Sequence, residues 1–284
     1  MHVGVIGVGH IGNLFVDSLL ASGHDVTAFD IDERKIAAAT DRGASAADSP
    51  RDVGERSDAV VLALPGTPEV EAVFERDGLL AGLDTDDLVV DASTTLPATS
   101  VACEGLCDER GVDFVEAPIT GAAPREGHQM LVGATEARYE RATPLLDALC
   151  DAHVRIGPVP DGTRFKLALQ VRYAVQAAVD AEVVAFARDS GLDPSILREF
   201  LHLDVDERYI DREFEQAIDG MGGRAIWQKD VGYALQIAAE QGSALPLASV
   251  VHEAYKATDR HASEKEGHAT AILRYWELLN GADG

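Results

Sequence analysis

The chain begins with short apolar runs separated by segments of helical periodicity. The run His2–Ile6 is almost wholly apolar, as a strand buried on both faces would be. Residues 12–22 follow with helical spacing and stop at Gly23, which suits a left-handed helix end. Residues 25–30 predict a second strand, and residues 31–42 a helix closed by Gly43. Further strands are predicted at 59–64, closed by Pro65 and Gly66, at Leu88–Asp91 and at Asp113–Glu116. Gln129–Gly133 and 153–156 are read as edge strands, and 43–52 as a connection. Strands that alternate with helices imply an α/β fold with a doubly wound parallel sheet.

The pattern changes at the turn-rich residues 157–162. Residues 163–190 hold neither Gly nor Pro and predict one helix of about 40 Å, stopped by Gly191. Beyond it the chain is helical in pattern to Leu279. We therefore expect an N-terminal α/β domain (1–160) and an all-α C-terminal domain (161–284), with 163–190 as a long interdomain helix.

Composition narrows the function. Of 284 residues, 49 are acidic and 24 basic, for a net charge of −25. Such a surface repels phosphate, so nucleic acid and anionic membranes are excluded as expected partners. Only five of the 24 basic residues are lysines. An acidic, lysine-poor surface suits a halophilic protein of a salt-rich cytoplasm, where salt screens self-repulsion. No apolar run reaches the roughly 20 residues of a membrane span, and no signal peptide is expected. The three cysteines form neither a disulfide framework nor a metal-ligand pattern; Cys103 and Cys107 read as small core residues of a helix, and no metal is expected.

The chemistry starts at Gly7, Val8, Gly9, His10, Ile11 and Gly12, a G-x-G-x-x-G fingerprint. It follows a strand and opens a helix, as a Rossmann dinucleotide site requires. Gly7 would allow the tight turn, Gly9 the approach of a pyrophosphate, and Gly12 close packing of helix on strand. The helix N-terminus then offers N–H groups and a positive dipole end to the phosphates. Asp30, 18 residues past Gly12, is placed to accept from both ribose hydroxyls. It would also oppose a 2′-phosphate: unit charges about 4 Å apart at an effective dielectric of ~20 repel by about 4 kcal/mol. NAD is the expected cofactor and NADP the less favoured one. Ile31 supplies no cation for a 2′-phosphate, although Arg34 and Lys35 lie close in sequence.

The chain resembles the β-hydroxyacid dehydrogenase family, which includes 3-hydroxyisobutyrate dehydrogenases and glyoxylate or succinic semialdehyde reductases. The resemblance covers nearly the whole chain. It rests on the glycine loop with Gly23 to Val26, on Leu64 and Pro65, and on Asp91, Ser93 and Thr94 followed by Pro97. It continues through the segment from Glu116 to Gly121, Lys166, Gly191 with Asp193, and Lys229 with Asp230. It implies that Lys166 is the catalytic acid/base. Leu64, Pro65, Thr94 and Lys229 would contact cofactor, and Ser93, Thr120, Gly121, Ala122, Gln170 and Asp230 the substrate. The residue chemistry agrees: an ammonium can protonate the oxygen of a carbonyl under reduction, and a neutral lysine can take that proton back. Lys166 is expected near the joint between the domains.

Two family asparagines after the lysine are here Leu169 and Gln170, and an aspartate near the C-terminus is replaced by His268. These departures bear on the substrate more than on hydride transfer. The expected function is NAD-dependent oxidation of a small β-hydroxy acid, or reduction of the matching aldehyde or keto acid, in a homodimer or homotetramer. The alternatives are an imine reductase on the same scaffold and a non-catalytic NAD-binding sensor.

Overall fold

The structure is a computed structural model that describes residues 1–75, 77–121, 127–211, 225–261, 272–273, 275–276 and 279–281. The chain divides into two compact units, Met1–Lys166 and Leu167–Gly284.

The first unit is built on β1 (His2–Ile6), β2 (Asp25–Phe29), β3 (Ser45–Ala46), β4 (Ala59–Leu62), β5 (Leu88–Asp91) and β6 (Asp113–Glu116). These strands lie parallel in the order β3-β2-β1-β4-β5-β6. That order reverses direction at β1, as in a Rossmann sheet, and leaves a crevice at the carboxyl ends of β1 and β4. Then come β7 (Ile119–Thr120), β8 (Gln129–Gly133) and β9 (Ala152–Gly157). β8 is antiparallel to both β6 and β7, and β9 is parallel to β8. The sheet is therefore mixed at this edge, where parallel pairing was expected. The chain from β6 to β8 contains no crossover helix among the described residues, and without one successive strands pair antiparallel.

Helices cover both faces. On one lie α1 (His10–Ala21) and α2 (Glu33–Arg42); on the other α3 (Pro50–Glu55), α4 (Thr67–Val73) and α5 (Pro97–Asp108); α6 (Glu136–Leu149) joins the first face. Val3 and Val5 of β1 pack with Phe15, Leu19, Leu145 and Leu146. Ile6 packs on the opposite side with Val53, Leu62, Phe74 and Phe114. Two buried faces explain why the strands read as continuous apolar runs. Each such side chain contributes about 1.5–3 kcal/mol on burial. Cys103 and Cys107 sit inside the second cluster, where burial pushes the Cys107 thiol up to about 12.

Helix α7 (Asp161–Asp189) begins in the first unit and supplies the spine of the second. Gly191, at φ +71°, follows its end. The second unit adds α8 (Ile196–Glu199), α9 (Glu207–Asp211), α10 (Ala225–Gln241) and α11 (Pro246–His261). Ala174, Ala178, Ala181 and Val184 of α7 form a core with Val231, Val251 and Tyr255. The small side chains let the helices approach closely.

Candidate active site

The glycine loop joins β1 to α1. Gly7 has φ +88°, a conformation that L side chains rarely adopt. A Cβ on Gly12 would stand 1.8 Å from the Gly7 carbonyl oxygen, so that position requires glycine. α1 has no acidic residue of its own in its first turn. Asn13 Nδ2 donates to the Val8 carbonyl at 2.8 Å and braces the loop from within the helix. This brace was not anticipated; the amide at the second turn of a glycine-loop helix is its only local sign. His10 is exposed, and Ile11 packs partly against the core.

Asp30 follows β2 with its carboxylate turned to the loop. Oδ2 accepts the Val8 N–H at 3.0 Å and Oδ1 the Asp32 N–H at 2.9 Å. Lys35 Nζ stands 3.8 Å from Oδ2. The side chain is only 8% exposed, so the carboxylate is held by backbone donors and not by solvent. Arg34 instead pairs with Asp32, whose carboxyl its hydrogen bonds hold down at about 2.

Leu64, Pro65, Ser93 and Thr94 lie just past the carboxyl ends of β4 and β5. The Leu64 N–H donates to Ser93 Oγ at 3.0 Å, and the Ser93 N–H donates to Asp91 Oδ1 at 2.9 Å. Ser93 thus ties two strand ends together. Thr94 is half-buried and Pro65 exposed. Thr120 is the last residue of β7 and Gly121, at φ +87°, the turn that follows. Ala122 and His268 lie outside the described residues.

Lys166 is buried within the second turn of α7. Three residues before it, Thr163 is bound twice by Glu116, the last residue of β6. Glu116 Oε1 accepts the Thr163 N–H at 3.1 Å, and Oε2 accepts the Thr163 hydroxyl at 2.6 Å. Burial pushes Glu116 up to about 7, against the lowering effect of Thr163 and Ser100. The sequence marks Glu116 only as the start of a substrate-loop motif, with no sign of this bond.

The second unit holds the remaining candidates. Gln170 Nε2 donates to Asp230 Oδ2, and Lys229 Nζ pairs with Asp230 Oδ1 at 2.7 Å. Lys229 also lies 5.0 Å from the centre of the Tyr233 ring. Gln170 and Asp230 are buried, and Lys229 is about a quarter exposed. Asp230 therefore orients Lys229, with the longer amide of Gln170 on its other oxygen.

Known proteins carry the same two-part pattern. The sequence profile of the NAD binding domain of 6-phosphogluconate dehydrogenase matches residues 2–157. That of the NAD-binding region of NADP-dependent 3-hydroxyisobutyrate dehydrogenase matches residues 161–276. The chain is 27% identical to 2-(hydroxymethyl)glutarate dehydrogenase of Eubacterium barkeri, over 98% of this chain and 96% of that protein. It is 29% identical to 2-hydroxy-3-oxopropionate reductase of Escherichia coli, over 98% of each. The crystal structure of 3-hydroxyisobutyrate dehydrogenase from Salmonella typhimurium has the same fold, with a TM-score of 0.83 at 23% identity over 96% of this chain and 99% of that one. Glycine loop, strand-end segment and helical half together place this chain in the β-hydroxyacid dehydrogenase family, NAD(P)-dependent oxidoreductases that act on CH–OH groups.

Proposed function

We propose that this protein transfers a hydride between NAD and a small β-hydroxy acid, or the corresponding aldehyde or keto acid, with Lys166 as the acid/base. The observation that carries this reading is a buried lysine one turn past a helix start anchored to the carboxyl end of the sheet. NAD supplies or receives the hydride when bound. In reduction, the Lys166 ammonium donates its proton to the oxygen on which charge develops. In oxidation, neutral Lys166 takes the hydroxyl proton as hydride leaves carbon. Lys166 sits in the second turn of α7, near the positive end of that helix.

Gly7, Val8, Gly9, His10, Ile11 and Gly12 would line the pyrophosphate, and Asp30 would hold the adenosine ribose. Its fixed negative charge supports NAD over NADP. Leu64, Pro65, Thr94 and Lys229 would complete the cofactor site. Ser93, Thr120, Gly121, Ala122, Gln170 and Asp230 are the proposed substrate contacts, with the hydroxyl of Thr120 and the N–H of Gly121 suited to a carboxylate. Membership in a family of oxidoreductases that act on CH–OH groups also supports this reading over an imine reductase or a silent sensor.

Val179, Val183 and Phe186 are exposed on α7 at the spacing of one helix face, which supports a homo-oligomer, dimer or tetramer. The excess of 49 acidic over 24 basic residues supports a salt-rich cytoplasmic setting. The test is a panel of 3-hydroxy acids, semialdehydes and cyclic imines, followed by NAD(P)H absorbance in high salt. Turnover of a hydroxy acid or semialdehyde with NAD is expected. Turnover of imines alone, or cofactor binding with no turnover, would replace this reading.

A further inference from the structure

Asp91 and Glu116 are direct partners in the register of β5 and β6, so two buried carboxylates lie side by side at the carboxyl edge of the sheet. Each organises a different segment. Asp91 accepts from the Ser93 N–H, and Glu116 accepts both donors of Thr163. The pocket around Glu116 is shaped for a carboxylate. A Cβ on Gly133 of β8 would fall 2.0 Å from Oε1, whereas one on Gly162 of α7 would first meet the backbone of β8, 2.5 Å from the Leu131 carbonyl oxygen. Thr163 Oγ1 continues to Ser100 Oγ on α5, and Ser100 to Thr95, each at 3.3 Å. Glu116 therefore has Asp91 beside it on β5, whose negative charge raises its pKa, and neutral hydrogen-bond partners in Ser100 of α5 and Thr163 of α7; Asp161, the acidic residue in the first turn of α7, is paired with Arg164.

We propose that Glu116 is a positioning residue for Lys166: its carboxylate fixes the first turn of α7 and, by its charge, offsets the positive helix end beside the lysine. This rests on the reading of Lys166 as the proton carrier. Thr163 and Lys166 are three residues apart on one helix and so are neighbours on its surface. The N–H that Glu116 accepts belongs to the first turn of α7, where a negative charge is stabilised. An ionised Glu116 thus both caps the helix and favours the charged form of Lys166. A protonated Glu116 loses the charge and one acceptor, and the hydroxyl chain of Thr163, Ser100 and Thr95 can reverse its donors to accommodate the added proton.

The experiment is a carbon-13 NMR titration of the whole protein labelled at lysine Cε, without cofactor or substrate. Five lysines give five signals, and Lys166→Arg assigns the one that matters. In the wild type, the Lys166 signal should show its own titration and a smaller inflection near 7, where Glu116 titrates. Glu116→Gln keeps the shape and loses the charge. It should abolish that inflection and lower the Lys166 midpoint by roughly half a unit to one unit. Thr163→Val removes one donor to the carboxylate and should move the inflection to higher pH, which keeps the test open if Glu116→Gln does not fold. An unchanged Lys166 titration in Glu116→Gln, or an inflection unmoved in Thr163→Val, overturns the proposal. Because no substrate is present, this outcome is independent of whether Lys166→Ala alters turnover, which tests the catalytic reading itself.

Discussion

Asp30 Oδ2 accepts the Val8 N–H at 3.0 Å, so the residue proposed to read the ribose also holds the glycine loop in shape. One carboxylate joins the end of β2 to the turn after β1. Its charge is also 3.8 Å from Lys35 Nζ. Asp30→Ala should therefore do two things. It should raise affinity for NADP relative to NAD by at least about tenfold, because a repulsive charge is lost and Lys35 is released toward a 2′-phosphate. It should also cost about 1 kcal/mol of stability through the lost acceptor. Dissociation constants for both cofactors, with urea unfolding, check the pair of effects. A wild-type preference for NADP would refute the assignment of Asp30.

Two glycines make opposite predictions. A Cβ at Gly12 would overlap the Gly7 carbonyl oxygen at 1.8 Å, whereas one at Gly105, exposed on α5, would meet nothing within 4 Å. Gly12→Ala should destabilise by roughly 1–3 kcal/mol or more and weaken NADH binding. Gly105→Ala should stabilise by up to about 1 kcal/mol, since glycine is costly inside a helix. Thermal unfolding of both variants, with NADH titration, separates the close approach from a general effect of alanine.

Glu116 links stability to pH. Burial raises it from 4.5 to about 7 in the folded chain. Between those values the folded state retains a proton that the unfolded state has released. Its contribution to stability is full below the window and declines as pH rises through it. Wild type should lose up to roughly 3 kcal/mol relative to Glu116→Gln between the two ends. Urea unfolding of both proteins at pH 5 and pH 8 measures this. Parallel changes in the two would show that Glu116 titrates alike in both states.

The acidic surface predicts a response to salt. With a net charge of −25, self-repulsion is screened as the Debye length falls from about 10 Å at 0.1 M to about 3 Å at 1 M. The unfolding temperature should rise by several degrees from dilute buffer to molar KCl. A midpoint indifferent to KCl would exclude the salt-rich setting.

The features legible in the sequence are those written locally. A strand buried on both faces shows as an apolar run, and β1, β5 and β6 end where the runs end. The glycine loop shows because its spacing is local, and Gly12 answers a steric demand from the Gly7 carbonyl five residues before it. Features set by distant partners did not show. The pairing of β8 with β6 follows from the route of the chain after Glu116, which apolarity does not encode. β3 has two exposed residues and no strand pattern of its own; pairing with β2 creates it. Ser93 was expected to meet substrate, and only the fold shows its Oγ accepting from Leu64, 29 residues earlier. The bond between Glu116 and Thr163 spans 47 residues. Its trace in the sequence is Gly133, whose missing side chain leaves the space that the glutamate fills.

Lys166 is the proposed carrier of the proton in an NAD-dependent hydride transfer. The most direct test of that role is turnover of Lys166→Ala against wild type, on whichever hydroxy acid or semialdehyde the panel identifies, with NADH affinity measured alongside. Loss of a general acid/base predicts a fall in kcat of roughly 10²–10⁴-fold with NADH affinity nearly unchanged. A variant that turns over at the wild-type rate would contradict the account.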